Sequence, residues 1–167
     1  IAIIEEAFSS KVIKPSVTTT DDVEWFMKEK MKTAGIDFWF SPDVNLQRKG
    51  CKNPMMNGNT VIEKGDLLHC DFGITYLGLN TDTQRLAYVL EDGQSEIPQD
   101  IVQGYKENMQ FHDIVRSSFR LNRKGNEIFA IAIKEAKKQN IKAMLYTHPL
   151  GQFGHAPGPT IGLFSNQ

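Results

Sequence analysis

Two runs rich in β-forming residues, 67–76 and 80–90, are separated only by a short connection containing Gly78, and this spacing predicts an antiparallel hairpin near the middle of the chain. The residues around it carry no low-complexity stretch and no short-period repeat, so they read as alternating helices and strands. Residues 1–10 look helical, and KPSVTT, with Pro15 inside it, breaks that helix before Thr20 caps a second. Asp21 and Asp22 then occupy a first turn, Val23, Met27, Met31 and Ala34 recur at helical spacing, and Gly35 ends the helix. Residues 36–40 are β-formers, and 41–60 read as loops and turns around a short strand.

Beyond the hairpin, 91–100 is a polar connector, after which Ile101, Tyr105, Met109, His112 and Val115 mark one helix face. A further long helix is expected from a cap at Gly125 or Asn126, burying Ile128, Phe129, Ala132, Ile133 and Ala136. Residues 144–148 look like a strand, and the four glycines and three prolines from Pro149 onward rule out one continuous regular element. The order is that of a mixed α+β chain. With 167 residues and 40% hydrophobic content, a single domain with one ordinary core is the default.

Nineteen Lys and Arg against 20 Asp and Glu give a net charge of -1, which supplies no electrostatic reason for a nucleic-acid or anionic-membrane partner. The longest apolar runs, such as 128–133, fall far short of the ~20 residues a membrane-spanning helix needs. The opening IAIIEEAFSS has acidic residues where an export signal places positive charge. A cytoplasmic location is expected, with a secreted or periplasmic one left open. Cys51 and Cys70 show neither C-x-x-C spacing nor the density of a disulfide scaffold and are read as buried or idle thiols.

The chemistry concentrates in HCDFGITYLGLNTDTQR, where Asp71 and Asp82 stand eleven residues apart on the two arms of the hairpin, seven before Gly78 and four after it. Antiparallel arms bring the two carboxylates together provided a bulge or skewed turn absorbs the unequal count. Two such charges repel unless a cation lies between them or one carboxyl is protonated; two aspartates near a turn also suit ordinary turn chemistry. Carboxylate and imidazole together suit divalent zinc, manganese or cobalt. The imidazole candidates are His148, at the end of the strand read over 144–148, and His155, seven residues on beyond a glycine-flanked loop. His69 shares a strand face with Asp71 by the period-two rule, and a structural role is read for it; His112 reads as a packed helix residue.

Taken together, these residues resemble the pita-bread metallopeptidases: creatinase, methionine aminopeptidase, prolidase and Xaa-Pro aminopeptidase. In that family a strand with Asp-x-Gly is followed eleven residues later by an Asp before Thr-x-Arg, matched here by Asp71, Gly73, Asp82, Thr83 and Arg85. A metal-ligand His in a glycine-rich segment, followed seven residues later by a substrate-facing His, is matched by His148 and His155. The stretches KPSVTTTDDVEWF, GDLLHCDFG and THPLGQFGHAPGPTIG look most like Xaa-Pro aminopeptidases or dipeptidases, and the resemblance covers nearly the whole chain.

The resemblance implies an α+β pita-bread fold whose C-terminal part is missing, residues 1–167 being a catalytic domain that stops after the metal-ligand His segment. It implies two divalent ions (manganese, zinc or cobalt) held by Asp71, Asp82 and His148, and His155 as a catalytic donor to the substrate carbonyl. Thr83, Arg85 and Gly73 would play supporting parts. Two Glu ligands, one also the general base, are expected further on, because no acidic residue follows Glu135. The substrate would be a peptide or dipeptide, Xaa-Pro in preference, with a homodimer left open. Residues 1–167 by themselves are expected to bind metal weakly without turnover. Many members place a substrate-facing His upstream of the first Asp; CKNPMMNGN has none, which argues more against methionine removal than against proline-directed cleavage. An inactive binding module of the same fold, or a creatinase-like or methionine-aminopeptidase reaction, are the alternatives.

Overall fold

The computed structural model describes residues 1–52, 55–56, 58–151, 154–155 and 160–162. The chain divides into two compact units, Ile1–Glu96 with Leu150–Gly154, and Ile97–Pro149 with His155–Gln167. No described helix is long and apolar enough to cross a membrane.

In the first unit the elements are α1 (Ala2–Ala7), α2 (Thr20–Ala34), β1 (Asp43–Gln47), β2 (Met55–Met56), β3 (Leu67–Phe72), β4 (Thr75–Tyr76), β5 (Leu79–Asn80) and β6 (Thr83–Tyr88). Helix α2 is capped one residue earlier than the sequence suggests. Thr19 accepts from the Asp22 N–H, and the Asp22 carboxylate accepts from the Thr19 N–H, a reciprocal pair that satisfies two otherwise orphaned donors. Gly35, at φ +66, closes the helix in the left-handed conformation that glycine adopts without strain. Val23, Met27 and Met31 are fully buried, each worth on the order of 1.5–3 kcal/mol of apolar burial, whereas Ala34 is exposed.

These side chains meet Val44 and Leu46 of β1 and Leu68, Cys70 and Phe72 of β3, with Ile4, Ala7, Ile13 and Ile62 completing the core. The sheet order is β2-β1-β3-β6, all neighbours antiparallel. Because side chains alternate along a strand, placing Leu68, Cys70 and Phe72 in the core turns Leu67, His69 and Asp71 to the other face. Register then sets Asp43 and Asn45 of β1 beside Asp71 and His69, and Gln84 of β6 on the opposite flank of Asp71. One face of the sheet is thus core and the other carries the polar chemistry.

Residues 36–40 do not form the strand their composition suggests. Only Asp37 bridges to Thr75, while Trp39 and Phe40 meet edge to face with ring centroids 4.5 Å apart. Their aromatic area is used in packing against the hairpin rather than in extending the sheet.

The second unit contains α3 (Gln99–Ser118) and α4 (Gly125–Lys138), packed through Phe111, Ile114, Ile128, Ala132 and Ala136. Helix α4 buries the stripe read from its periodicity, though its cap is Lys124 rather than Gly125 or Asn126. Helix α3 is rolled relative to the stripe read from sequence: Phe111, Ile114 and Ser118 are buried, and Tyr105, Met109 and His112 are exposed. A repeat of exactly four residues drifts about 40° per step around a helix of 3.6 residues per turn, so residues 101, 105 and 109 cannot all stay in one contact. The strand expected over 144–148 is reduced to a single bridge, Thr147 with Ile161. The close approach there needs Gly162, at φ +75, where an added Cβ would fall 2.0 Å from the Leu145 carbonyl oxygen. The remaining short strands are β7 (Leu150–Gly151) and β8 (Gly154–His155).

Candidate metal centre

The hairpin is interrupted at Asp82, while Asp71 lies within the paired part of β3. Pairing runs along β3 and β6 to Phe72 opposite Thr83, thins at 73–74 and 81–82 to the Thr81 N–H donating to the Ile74 carbonyl at 2.9 Å, and resumes as a strand pair at Thr75 opposite Asn80 in the same register. The register is the same on both sides of this stretch, so no bulge is inserted, and the extra residue anticipated from the unequal count around Gly78 is not needed. The turn is Leu77–Gly78, both at positive φ (50 and 76), between the paired Tyr76 and Leu79, the geometry that matches strand twist in a two-residue hairpin. Counting back from it, Asp71 is opposite Gln84, and Asp82, two residues before Gln84, shares its face.

Gly73 lies within the interruption for a packing reason. A Cβ there would come within 2.2 Å of Phe40 Cε1, 2.6 Å of Trp39 Nε1 and 2.6 Å of the Thr81 carbonyl oxygen. Trp39 Nε1–H also donates to that carbonyl at 2.8 Å, so the aromatic pair is tied to the arm that carries Asp82. Gly154, just before His155, is likewise required by Trp39, whose Cε3 would be 2.2 Å from an added Cβ.

Asp71 carries the clearest electrostatic signature. Its Oδ1 is buried with no hydrogen-bond partner, and its Oδ2 accepts from Gln84 Nε2 at 3.4 Å. Burial pushes the carboxyl above the ordinary carboxylate range, and Asp82 pushes it further, by its negative charge and by a carboxyl–carboxyl hydrogen bond that forms only when one of the two holds a proton, while the Gln84 bond and His69 pull it back. A buried oxygen without a donor, beside a second carboxylate, is costly in a protein interior. A divalent cation would take the orphaned oxygen as a ligand and cancel the repulsion, and oxygen donors of this kind suit manganese, zinc or cobalt. Cys70, one residue away, faces the core instead; burial raises its thiol to about 11, which keeps it neutral and unsuited to metal binding.

Thr83 pairs with Phe72 and Arg85 with Cys70. Arg85 is exposed, and its Nη1 donates to the Gln84 carbonyl at 2.7 Å. In the second unit the His148 and His155 rings lie 3.8 Å apart between centroids at 59°. His148 Nδ1 is 3.2 Å from the Pro149 carbonyl oxygen; in the tautomer that donates there, Nε2 keeps the lone pair that a metal requires. Gln84 is the residue that motif reading passed over. Its signal was present, since it lies two residues after Asp82 on the same strand face.

A model of metallopeptidase family M24 matches residues 1–165. The chain belongs to this family. Members are hydrolases that use divalent metals, and prolidases and Xaa-Pro aminopeptidases are among the M24 relatives. A Mycoplasma genitalium protein assigned as an Xaa-Pro aminopeptidase is 31% identical over 75 residues, 45% of this chain and 21% of that protein. The X-Pro aminopeptidase structure from Thermotoga maritima superposes with a TM-score of 0.69 at 21% identity, over 96% of this chain and 46% of that one. The Pyrococcus furiosus prolidase gives 0.68 at 20%, over 98% and 48%. These likenesses establish the M24 pita-bread fold, with helices and sheet mixed as the sequence implies. The chain spans about a fifth of the first relative and slightly under half of the other two.

Proposed function

We propose that the protein to which this chain belongs hydrolyses the N-terminal peptide bond of peptides or dipeptides, with Xaa-Pro sequences preferred, and that residues 1–167 form part of its catalytic domain. The observation that carries the reading is the Asp71–Asp82 pair, two carboxylates on one face of a hairpin with one oxygen buried and unpartnered. The names of the relatives support the choice of substrate class. In this reading Asp71 and Asp82 are ligands, and His148 is a third by its place in the family motif, its ring oriented through Nδ1. Two divalent ions (manganese, zinc or cobalt), when bound, polarise the scissile carbonyl and lower the pKa of the attacking water. His155 donates a hydrogen bond to the carbonyl oxygen as negative charge develops there. Thr83, Arg85 and the Gly73 contact hold the Asp82 arm in place, and the general base is one of the glutamates the family motif puts further on.

The test is release of the N-terminal residue from Xaa-Pro peptides by the full-length protein with added manganese. Asp82→Ala and His148→Ala are each expected to lower kcat/KM by about a thousandfold, roughly 4 kcal/mol of transition-state stabilisation. Full metal-dependent activity in both variants would remove the assignment.

A further inference from the structure

We infer that Gln84 is a positioning residue for the metal centre: its side-chain amide holds Asp71 by one oxygen so that the other stays presented for a cation. This rests on the reading of Asp71 as a ligand. Three observations carry it. Gln84 is directly opposite Asp71 across the β3–β6 ladder, so its side chain is delivered to Asp71 by strand register rather than by a mobile loop. Its Nε2 is 3.4 Å from Oδ2, while Oδ1 of the same carboxylate is buried and without a partner. Asp82, two residues before Gln84 on the same arm, acts on Asp71 through its negative charge, so the amide bonds a carboxylate that has a like charge as neighbour.

An aspartate beside another negative group rotates away from it unless something fixes its torsion. A neutral amide donor does this without contributing charge of its own, and it draws electron density onto one oxygen while leaving the second free to bind. Outer partners of this kind typically contribute ten- to a hundredfold to metal affinity.

The experiment titrates manganese(II) into the full-length protein and follows the free-ion EPR signal, with thermal unfolding as a check on the fold. Four proteins are compared: wild type, Asp71→Asn, Gln84→Met and Gln84→Thr. Gln84→Met keeps the length and removes the amide; Gln84→Thr returns a hydroxyl donor at the same strand position. Because Gln84 is exposed, neither change should alter the melting temperature much. The expected result is manganese binding about tenfold weaker in Gln84→Met, partly recovered in Gln84→Thr, and lost in Asp71→Asn. Wild-type affinity in Gln84→Met together with loss in Asp71→Asn would overturn the role of Gln84 and leave the ligand reading standing. Equal affinity in wild type and Asp71→Asn would overturn both.

Discussion

Asp66 and Asp71 stand five residues apart, one just before β3 and one near its end, and their carboxylates are held in opposite ways. Asp66 is fully buried, and both of its oxygens are satisfied: Arg48 Nε and Nη2 donate at 2.8 Å each, and the Glu63 N–H adds a third bond at 2.8 Å. Arg48 also donates to the Val61 carbonyl, so a planar guanidinium closes the 48–66 excursion onto the base of the strand. Asp71 has one long bond to Gln84, one buried oxygen that no donor reaches while both carboxyls are ionised, and a second carboxylate as neighbour. The same residue type is finished in one place and left incomplete in the other. A satisfied buried carboxylate is a structural element, whereas an unsatisfied one beside a like charge is a place where a cation belongs.

The sharpest way to break this contrast is to unfinish Asp66. Arg48→Ala leaves a buried charge without its counter-ion and should cost about 3–5 kcal/mol, lowering the melting temperature by roughly 10 °C in a chain of this size. An unchanged melting temperature would mean that the bidentate pair contributes little.

A smaller effect, of opposite sign, is expected when Asp71 is completed by neutralisation. Its carboxyl is raised in the folded chain, so its contribution to stability is present below the ordinary aspartate range and lost as pH climbs through the raised value. Without metal, Asp71→Asn should therefore stabilise the chain at neutral pH, and the gap to wild type should close at acid pH. Urea unfolding at the two pH values measures it, and a variant no more stable than wild type at neutral pH would contradict the account.

The elements that were legible in the sequence are those whose pattern and packing agree. Val23, Met27 and Met31 are the buried face of α2, and Ile128, Ala132 and Ala136 that of α4, because both helices carry a clean 3.6-residue apolar stripe. The hairpin was legible because β-formers flank a turn in which Gly78 takes a positive φ without strain. Where reading failed, tertiary contacts outweighed local preference. Residues 36–40 have strand composition but spend it on the Trp39–Phe40 pair, and α3 rolls to bring Phe111 and Ile114 inward at the expense of Tyr105 and Met109. At the candidate site, Asp71 and Asp82 could be picked out by residue type and spacing. The unshifted register on both sides of the interruption, the buried oxygen and the Gln84 bond could not, since they depend on register and on which face the core takes.

The central claim is that the Asp71–Asp82 pair is completed by a divalent ion, and thermal unfolding with and without manganese tests it directly. At a concentration about ten times the dissociation constant, binding should add about 1.4 kcal/mol to wild type, a rise of several degrees. The same rise should survive in Arg48→Ala, whose damage lies elsewhere, and vanish in Asp71→Asn. An equal rise in Asp71→Asn, or none in wild type, would contradict the claim.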